Sequence, residues 1–592
     1  MLDGCVPWPE EFAERYRAAG YWKDETLGEM LRARAREHGD RPALVAPRGN
    51  TRRTARPGAQ ASDLEAGREA GGATGSEAGW ETERQTGTET RTEAGTKAGG
   101  EAERETGEQT RTETGRQTGT ETAWERLTYA ELDARADRVA AGLHALGIAP
   151  GDRVVVQLTN TTAFVTLIFG LFRLGALPVF ALPAHRSSEI TYFCEFTGAI
   201  AYVIPDEDEY HRLAEEVLRK TTTLEHVLTK IPEAEPADLP RPDPADVALF
   251  LLSGGTTGVP KLVPRTHQEW AYSGRAVAEA CAYDGDTVHL VSLPLGHNWP
   301  LTHGLLATFH AGGTLVLADG PSPDETFPLI EGEGVTETGL VPGVALLWME
   351  AAEWGEHDLS SLRRVTIGGS KLSDELAKRV EPALGCRLQQ AFGMAEGLCG
   401  FHRPEDPPEV VLVSQGIPVS PADEMRVVDE DDRDVPPGEV GQLLARGPYT
   451  VRGYYRSPAH NAQAFTRDGF YRTGDLVRLL PTGHVVFEGR VKDQINRGGD
   501  KIAAEEVENH LLAHPNVRQA ALVGVPDEVL GERSCACVVP RGEAPALPEL
   551  AAFLRGRGVA AFKIPDRLEI MTDFPLTPLG KVSKKALTAM VT

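Results

Sequence analysis

Segments typical of strands alternate with segments typical of helices from about residue 127 to residue 425, and this alternation constrains the fold more than any other feature. Leu127–Leu146 has the apolar spacing of an amphipathic helix, with Thr128 as its N-cap and Glu131 completing a capping box. Asp152–Gln157 then has the pattern of a strand. Because such alternation is typical of parallel-sheet units, we predict an α/β fold.

The pattern changes twice towards the C-terminus. Between Met425 and Leu479 the strands shorten and Gly/Pro turns multiply, which predicts a small β-rich subdomain. The last hundred residues mix short strands with helices such as Ala504–His514, as in a small α+β domain. We therefore predict a large N-terminal domain over residues 1–489 and a small C-terminal domain over residues 490–592.

Residues 48–124 differ in composition from the rest of the chain. They are rich in Thr, Glu, Gly and Arg, and the sequence RQTGTET occurs at both Arg84–Thr90 and Arg116–Thr122. A tract with so few large apolar residues cannot bury enough surface to offset the entropy of ordering it. We expect a low-complexity, disordered insertion, tolerated as a surface loop, although a binding or regulatory role is an alternative.

Composition excludes several classes of protein. The 592 residues carry a formal net charge of −26, which argues against a general nucleic-acid binder and requires local lysines, arginines and loops to hold any anionic ligand. The seven cysteines are scattered without paired metal spacing, and the first residues lack the pattern of a secretion signal, so we expect a cytoplasmic protein. The apolar run Phe164–Leu182 is interrupted by Arg173, Gly175 and Pro178, which predicts a buried helix and strand rather than a membrane span.

A glycine-rich loop follows the predicted buried strand Asp246–Leu252 in the sequence LLSGGTTGVPKLVPRTH. Backbone N–H groups in such a loop can converge on an anion, and hydroxyl groups and a lysine add donors. The residues concerned are Ser253, Gly254, Gly255, Thr256, Thr257, Gly258 and Lys261. The loop is not a kinase-type P-loop, because Lys261 lies between two prolines and cannot easily open a helix. From these residues alone, a phosphate loop and an ordinary turn remain equally good interpretations.

Further motifs follow in a fixed order: GGS at 368–370, QQAFGMAEG at 389–397, YRTGDL at 471–476, GRVKDQINRGG at 489–499 and PLTPLGK at 575–581. Together with the loop they resemble the adenylate-forming superfamily of acyl-CoA synthetases, peptide-synthetase adenylation domains and luciferases, over nearly the whole chain except the insertion. The stretches VPWPEEFAERYRAAGYW, FALPAHRSSEITYF and GRVKDQINRGGDKIAAEEVE are similar to the stand-alone aryl-acid–AMP ligases that activate 2,3-dihydroxybenzoate and salicylate. The resemblance implies an adenylate-forming core with a small mobile C-terminal domain.

The resemblance also implies a two-step reaction. An aryl carboxylate attacks the α-phosphate of ATP and pyrophosphate leaves; the aryl adenylate then acylates the phosphopantetheine thiol of an aryl carrier protein, in siderophore or antibiotic biosynthesis. Lys581 would stabilise charge in the first step. Glu396 would hold Mg²⁺, and Asp475 and Arg490 would contact the ribose or phosphates. The remaining residues of the implied nucleotide site are those of the 253–261 loop, Gly369, Gln390 and Gly393.

In this family the small domain swings between the two half-reactions. Lys492 occupies the hinge position, and the segment 493–501, with Lys501 as a catalytic residue, would replace Lys581 at the active site.

The stretch LPLGHNWPLTHGL at 293–305 contains the implied acid pocket. Asn298 carries both a donor and an acceptor, which suits a hydroxyl ortho to the carboxylate, and His297 would lie near the carboxylate. The other implied pocket residues are Trp299, His303, Gly368 and Cys399. The stretch lacks the serine that follows the His-Asn pair in dihydroxybenzoate enzymes. This weighs against 2,3-dihydroxybenzoate and leaves salicylate, a substituted salicylate or a hydroxylated heteroaryl acid.

Two alternatives accompany this prediction. An aryl-CoA ligase would share the first step and use coenzyme A as the acceptor. A non-catalytic scaffold that binds an acid or a carrier is the remoter possibility, because Thr257, Glu396, Asp475, Arg490 and Lys581 are all intact. We expect ATP and Mg²⁺ as cofactors, no nucleic acid or membrane partner, and a monomer or homodimer.

Overall fold

The structure is a computed structural model that describes residues 2–47, 124–253, 260–497, 500–527, 530–577 and 581–592, and only the backbone of Asp500 and Lys501. The prediction of disorder for the insertion falls on residues 48–123, which lie outside the described residues. Trp124, which we assigned to the insertion, is instead the first residue of a strand.

Helices in the described residues begin near the N-terminus and continue to the last turn of the chain. They are α1 Glu10–Ala18, α2 Leu27–His38, α3 Tyr129–Ala145, α4 Thr162–Leu174, α5 Ser187–Thr197, α6 Asp208–Leu218, α7 His267–Ala280, α8 Ala307–Ala311, α9 Pro323–Glu333, α10 Pro342–Ala352, α11 Asp374–Leu384, α12 Pro408–Val411, α13 Pro458–Ala464, α14 Ala504–Leu512, α15 Leu547–Gly556 and α16 Lys584–Val591, with a π-helix at Pro300–Leu306 and 3₁₀ turns at Val491–Asp493 and Ala561–Lys563.

The strands of the same residues form four sheets. They are β1 Pro42–Pro47, β2 Trp124–Thr128, β3 Arg153–Val156, β4 Leu177–Phe180, β5 Ala201–Val203, β6 His226–Leu228, β7 Val247–Leu252, β8 Leu262–Thr266, β9 Val288–Val291, β10 Thr314–Leu317, β11 Glu337–Leu340, β12 Arg364–Ile367, β13 Arg387–Met394, β14 Gly397–Phe401, β15 Ile417–Pro418, β16 Glu424–Val428, β17 Gly441–Arg446, β18 Tyr471–Leu479, β19 Val485–Arg490, β20 Ile495–Arg497, β21 Asp500–Ile502, β22 Val517–Asp527, β23 Gly531–Pro540 and β24 Arg567–Ile570.

Two of the sheets are mainly parallel, as the alternating pattern predicted. One has six strands in the order β6-β5-β3-β4-β7-β8, and the other has nine in the order β15-β14-β13-β12-β11-β9-β10-β1-β2. Helix α4 is buried along nearly its whole length, in the largest apolar core of the described residues, together with side chains from both sheets. The prediction of a buried helix and strand for Phe164–Leu182 is therefore confirmed. A helix that is apolar on all sides belongs in such a position.

Local signals placed several elements correctly. Thr128 caps α3 and forms the expected capping box with Glu131, since each side chain bonds to the backbone of the other residue. The predicted strand before the glycine-rich loop is β7, which is almost completely buried. It pairs antiparallel with β8, so the loop closes a hairpin and does not open a helix.

The remaining two sheets belong to the C-terminal part of the chain. Strands β16 to β19 form a four-stranded antiparallel sheet, which is the small β-rich subdomain that the sequence predicted. Strands β20 to β24 form a five-stranded sheet with its own apolar clusters and the helices α14 to α16. The mixed α/β fold class, with a large N-terminal and a small C-terminal region, is confirmed. Cys535 and Cys537 are buried in β23, as expected for strand packing.

No helix within the described ranges is both long enough and apolar enough to cross a membrane.

Candidate active site

One cavity of about 2110 Å³ gathers most of the residues that the motifs singled out. It lies where the two mainly parallel sheets, the four-stranded sheet and the C-terminal segment meet. The predicted residues on its wall are Ser253, Lys261, His297, Asn298, Trp299, His303, Gly369, Gly393, Glu396, Cys399, Asp475, Arg490, Lys492 and Lys581. Residues separated by more than three hundred positions in the chain thus share one site.

A few predicted residues lie elsewhere. Gln390 is buried beside the cavity and its amide is committed to neighbours, because Nε2 donates to the Val411 carbonyl and Oε1 accepts from Gln415. The neighbouring Gln415 lines the cavity. Gly368 is not part of the wall. A Cβ atom added at Gly368 would lie only 3.2 Å from the Trp299 ring, so a side chain at this position would crowd the ring. Residues 254–258 and the Lys501 side chain lie outside the described residues, so their predicted roles stay predictions.

The glycine-rich loop is closed at its base by a pair of hydrogen bonds. The Ser253 N–H donates to the Lys261 carbonyl at 2.9 Å, and the Lys261 N–H donates to Ser253 Oγ at 3.1 Å. The Lys261 ammonium lies 5.5 Å from the centre of the Tyr454 ring at the cavity wall. Both ends of the loop are therefore held against the cavity by the β7–β8 hairpin.

Glu396 is a buried carboxylate held by Tyr454, whose hydroxyl also contacts Tyr471. Tyr454 donates its hydroxyl to Glu396 Oε1 at 2.6 Å and lies 2.9 Å from the Tyr471 hydroxyl. Burial, followed by the negative charge of Glu396, raises the pKa of Tyr454 well above its ordinary value, so the phenol stays a donor. The backbone is anchored too, because Val451 N–H donates to the Glu396 carbonyl at 2.7 Å. The carboxylate consequently has a fixed position on the cavity wall.

Asp475 and Arg490 face one another across the pairing of β18 and β19. Arg490 Nε lies 3.0 Å from Asp475 Oδ1, yet this buried oxygen has no aligned hydrogen-bond donor among the described residues. Burial raises the pKa of Asp475 to about 6, and the guanidinium opposes the shift. An acceptor that is buried without a donor in a cavity is suited to a ligand hydroxyl.

Lys581 reaches into the cavity from the C-terminal segment. A Cβ on Gly369 would lie 3.4 Å from Lys581 Cε and 3.7 Å from Nζ, so the side chain passes directly over this glycine. The loop that carries it is bonded to itself: Thr577 N–H donates to the Lys581 carbonyl, and Lys581 N–H donates to Thr577 Oγ1. Burial, helped by the nearby Arg490 charge, lowers the pKa of Lys581 to about 8.

The acid pocket lies at the start of the π-helix Pro300–Leu306. Asn298 Nδ2 donates to the Met394 carbonyl at 3.3 Å, and Asn298 Oδ1 accepts from Thr302 Oγ1 at 3.3 Å. Burial, with a smaller effect of the Lys581 charge, lowers the pKa of His297 to about 3, so this ring is neutral at ordinary pH. The Asn298 amide therefore bridges the pocket to the segment that carries Glu396.

His303 closes the floor of the pocket. Its ring stacks on Phe401 with centroids 5.2 Å apart, and its Nε2 lies 2.8 Å from the Tyr283 hydroxyl. The same hydroxyl lies 3.1 Å from His289 Nδ1. Burial lowers the pKa of His303 well below its ordinary value and that of His289 to about 3, so both rings are neutral.

His402, Asp406 and His484 form a cluster of possible metal ligands in the described residues, outside the cavity. Hydrogen bonds account for each ring nitrogen. His484 contacts Asp406 and Thr482, and His402 contacts Ser414 and the Gln390 backbone. The stacked rings connect the β14–β15 segment to the β18–β19 turn. We interpret the cluster as a link between two sheets.

Sequence reasoning missed several residues of the site. Tyr454 and Tyr471 support Glu396, and Tyr283 and His289 support His303. Tyr471 begins the YRTGDL motif but was given no role, and the other three lie outside the motifs. A further local signal concerned the acid pocket: Thr302 follows Asn298 by four residues, the spacing at which side chains on a helical turn meet.

The donor set of the cavity fits a Mg²⁺–nucleotide. Glu396 offers the hard oxygen ligand that Mg²⁺ prefers, and the Asp475 carboxylate, ion-paired with Arg490 but without an aligned hydrogen-bond donor at Oδ1 among the described residues, offers an acceptor for a ribose hydroxyl. Lys261, Arg490 and Lys581 supply positive charge for phosphates on the wall of the same cavity. The Asn298 pocket beside them is lined by aromatic rings and suits a flat carboxylic acid.

Two family descriptions match the chain: AMP-binding enzyme over residues 106–455, and AMP-binding enzyme C-terminal domain over residues 506–581. The chain is 50% identical over 601 residues to the 2,3-dihydroxybenzoate-AMP ligase of Bacillus subtilis, with 99% of this chain and 97% of that protein covered. It is 42% identical over 606 residues to the salicyl-AMP ligase / salicyl-S-ArCP synthetase of Mycobacterium tuberculosis, covering 99% and 94%. The apo structure of Mycobacterium smegmatis MbtA is 42% identical, with a TM-score of 0.67 over 99% of this chain and 98% of that one.

Proposed function

The chain belongs to the AMP-binding enzyme family, and from that premise we propose that it is an aryl-acid–AMP ligase for acids of the 2-hydroxybenzoate type. A carboxylate oxygen of the acid attacks the α-phosphorus of ATP, the bond to the β-phosphate breaks, and pyrophosphate leaves. A thiol then attacks the carbonyl carbon of the aryl adenylate, and AMP leaves. The observation that carries the proposal is that Lys581, Asn298 and the Asp475–Arg490 pair line one cavity.

Residues of the chain have separate tasks in the first step. The Lys581 ammonium offsets the repulsion between the attacking carboxylate and the α-phosphate and stabilises the charge that develops between them. Asp475 accepts from the ribose hydroxyls, and Arg490 holds its carboxylate in the charged form. Mg²⁺, held with the help of Glu396, would neutralise charge on the departing pyrophosphate. The 253–261 loop would bind the β- and γ-phosphates through its backbone N–H groups.

For the second step we keep the domain division at residue 489/490 as a proposal. Lys492 lies in the 3₁₀ turn directly after β19, exposed on the rim of the cavity, which suits a hinge. Rotation there would withdraw Lys581 and bring in the segment 493–501 with Lys501. The thiol belongs to an aryl carrier protein in this proposal, in line with the name of the M. tuberculosis relative. Coenzyme A is the competing acceptor.

The substrate class is tested by ATP–pyrophosphate exchange over a panel of acids. The panel separates ortho-hydroxy aryl acids from other aryl acids and from aliphatic acids. It contains salicylate, 2,3-dihydroxybenzoate, 3-hydroxypicolinate, benzoate, 3-hydroxybenzoate and a fatty acid. We expect exchange with the ortho-hydroxy acids and at least ~100-fold less with benzoate and 3-hydroxybenzoate, because a site built to bond a hydroxyl rejects analogues that lack it. Exchange with the fatty acid alone, or with none of the acids, contradicts the proposal. The acceptor is then identified by comparing the rate at which the acyl group is transferred to a phosphopantetheinylated carrier protein with the rate of its transfer to coenzyme A.

Gly369→Ala tests whether Lys581 acts from the position seen here. The added methyl group would lie in van der Waals contact with Lys581 Cε and Val341 Cγ1, each 3.4 Å away, and would take up the room in which the lysine side chain adjusts, so we expect exchange to fall by roughly 3-fold. The control is Gly385→Ala, since Gly385 has a similar positive φ of +68° but no neighbour within 4 Å of a new Cβ. Equal losses in both variants would assign the effect to backbone strain and contradict the placement of Lys581.

A further inference from the structure

A chain of hydrogen bonds runs from the buried core to the Asn298 amide. The Trp270 ring is almost completely buried, and its Nε1–H donates to Thr302 Oγ1 at 3.0 Å. An indole N–H has no lone pair to offer, so Thr302 must be the acceptor in this contact. The single hydroxyl hydrogen of Thr302 is then available for its other neighbour, Asn298 Oδ1, at 3.3 Å.

Two independent contacts give the Asn298 amide the same orientation. Thr302 supplies a hydrogen, so the amide oxygen faces it. On the other side, the Met394 carbonyl can only accept, so the amide nitrogen faces it at 3.3 Å. Reversing the amide would place its C=O against the Met394 carbonyl, and Thr302 would have to turn its hydroxyl hydrogen away from Asn298, so the hydrogen bond to Met394 and the one donated by Thr302 would both be given up.

The orientation determines what the cavity wall presents to a ligand. Nδ2 carries two hydrogens, and the contact with Met394 uses one of them. Asn298 is partly exposed to the cavity, so its second N–H is available to a bound acid. The pocket accordingly offers a donor, and the complementary substituent is one that accepts.

We propose that Thr302 and Trp270 are positioning residues that hold the Asn298 amide as a hydrogen-bond donor, and thereby select acids with an accepting ortho substituent. This inference rests on the proposed function and narrows its substrate class. An ortho-hydroxyl donates its own hydrogen to the adjacent carboxylate and leaves an oxygen lone pair for Asn298. An ortho-amino group is a poor acceptor, because its lone pair is delocalised into the ring, and it brings a further N–H towards Nδ2.

The test compares salicylate, anthranilate and benzoate as substrates for ATP–pyrophosphate exchange. In the wild type we expect kcat/KM for salicylate to exceed that for anthranilate by ~100-fold or more. Thr302→Val keeps the volume and removes the hydroxyl, and we expect it to lower this ratio roughly 10-fold. Trp270→Phe should lower the ratio in the same direction. Thr302→Ser keeps the hydroxyl and removes only the methyl group, so it should keep the salicylate-to-anthranilate ratio within about 3-fold of the wild type.

The outcomes separate the inference from the proposed function. If Thr302→Val lowers exchange with all three acids in parallel, the ratio is unmoved, Thr302 is merely structural, and the inference is overturned while the function stands. A wild type that favours anthranilate also overturns the inference alone. Absence of exchange with any aryl acid overturns the function, and the inference with it. Benzoate, which has no ortho substituent, gives the background rate, and exchange with salicylate at saturating concentration reports whether a variant is folded and active.

Discussion

Replacing Lys581 by alanine is expected to lower ATP–pyrophosphate exchange by roughly 10²- to 10³-fold, the loss typical of removing one group that stabilises transition-state charge. The ammonium lies beside Gly369 on the wall of the cavity, where it faces the bound phosphates in the proposed function. ATP binding should change far less, because Lys261, Asp475 and Arg490 remain in place. Equilibrium binding of ATP and steady-state exchange, measured on the same preparation, separate the two effects.

Lys378→Ala serves as the control, since this lysine is 54% exposed and pairs only with Glu375 among the described residues. The pH dependence gives a second check. Because the pKa of Lys581 is lowered to about 8, its charged form is complete well below pH 8 and is lost as the pH rises through that value. Wild-type exchange should decline over this range. Full exchange in Lys581→Ala, or a rate that keeps rising above pH 8, would contradict its role.

Glu396→Gln is expected to lower exchange by ~100-fold or more at ordinary Mg²⁺ concentrations, with partial recovery as Mg²⁺ is raised. Glutamine keeps an Oε1 acceptor for the Tyr454 hydroxyl, which now donates at 2.6 Å, so the local packing is retained and only the charge is lost. Exchange as a function of Mg²⁺ concentration measures the effect.

Tyr454→Phe is the matched variant for this carboxylate. It removes the hydrogen bond and leaves the charge, so we expect a smaller loss and a Mg²⁺ dependence close to that of the wild type. If Glu396→Gln has the Mg²⁺ dependence of the wild type, Glu396 does not contribute to holding the ion. If the two variants fall equally, the hydrogen bond rather than the charge is what matters.

Local physical signals predicted much of the fold. The capping box of α3, the apolar run of α4 before Arg173 and the prolines around Lys261 each act over a few residues. The helices and turns that these signals specify can therefore be predicted from short stretches of sequence. The motif residues were also predicted to share a site, but that came from their resemblance to a family and not from their spacing.

Contacts between distant segments were not predictable in this way. Tyr454 lies 58 positions from Glu396, and Trp270 lies 32 positions from Thr302. No periodicity encodes such pairs, because the packing of the sheets brings them together. Gln390 is an example in which a motif position pointed to a ligand contact that its side chain does not offer. Its motif position suggested a ligand contact, but its amide satisfies Val411 and Gln415 inside the protein instead.

The hydrogen bonds between Thr577 and Lys581 bear on how fast the proposed rotation of the C-terminal region could be. Thr577 and Lys581 bond to each other through both backbone and side chain, so the two ends of the loop are tied without help from the large sheets. The conformational entropy of these two residues is thus lost when the C-terminal region folds. It need not be lost again when Lys581 enters the active site. If the C-terminal region rotates as proposed, Lys581 would move together with Thr577, and the hydrogen bonds between these two residues would not need to form anew in each cycle.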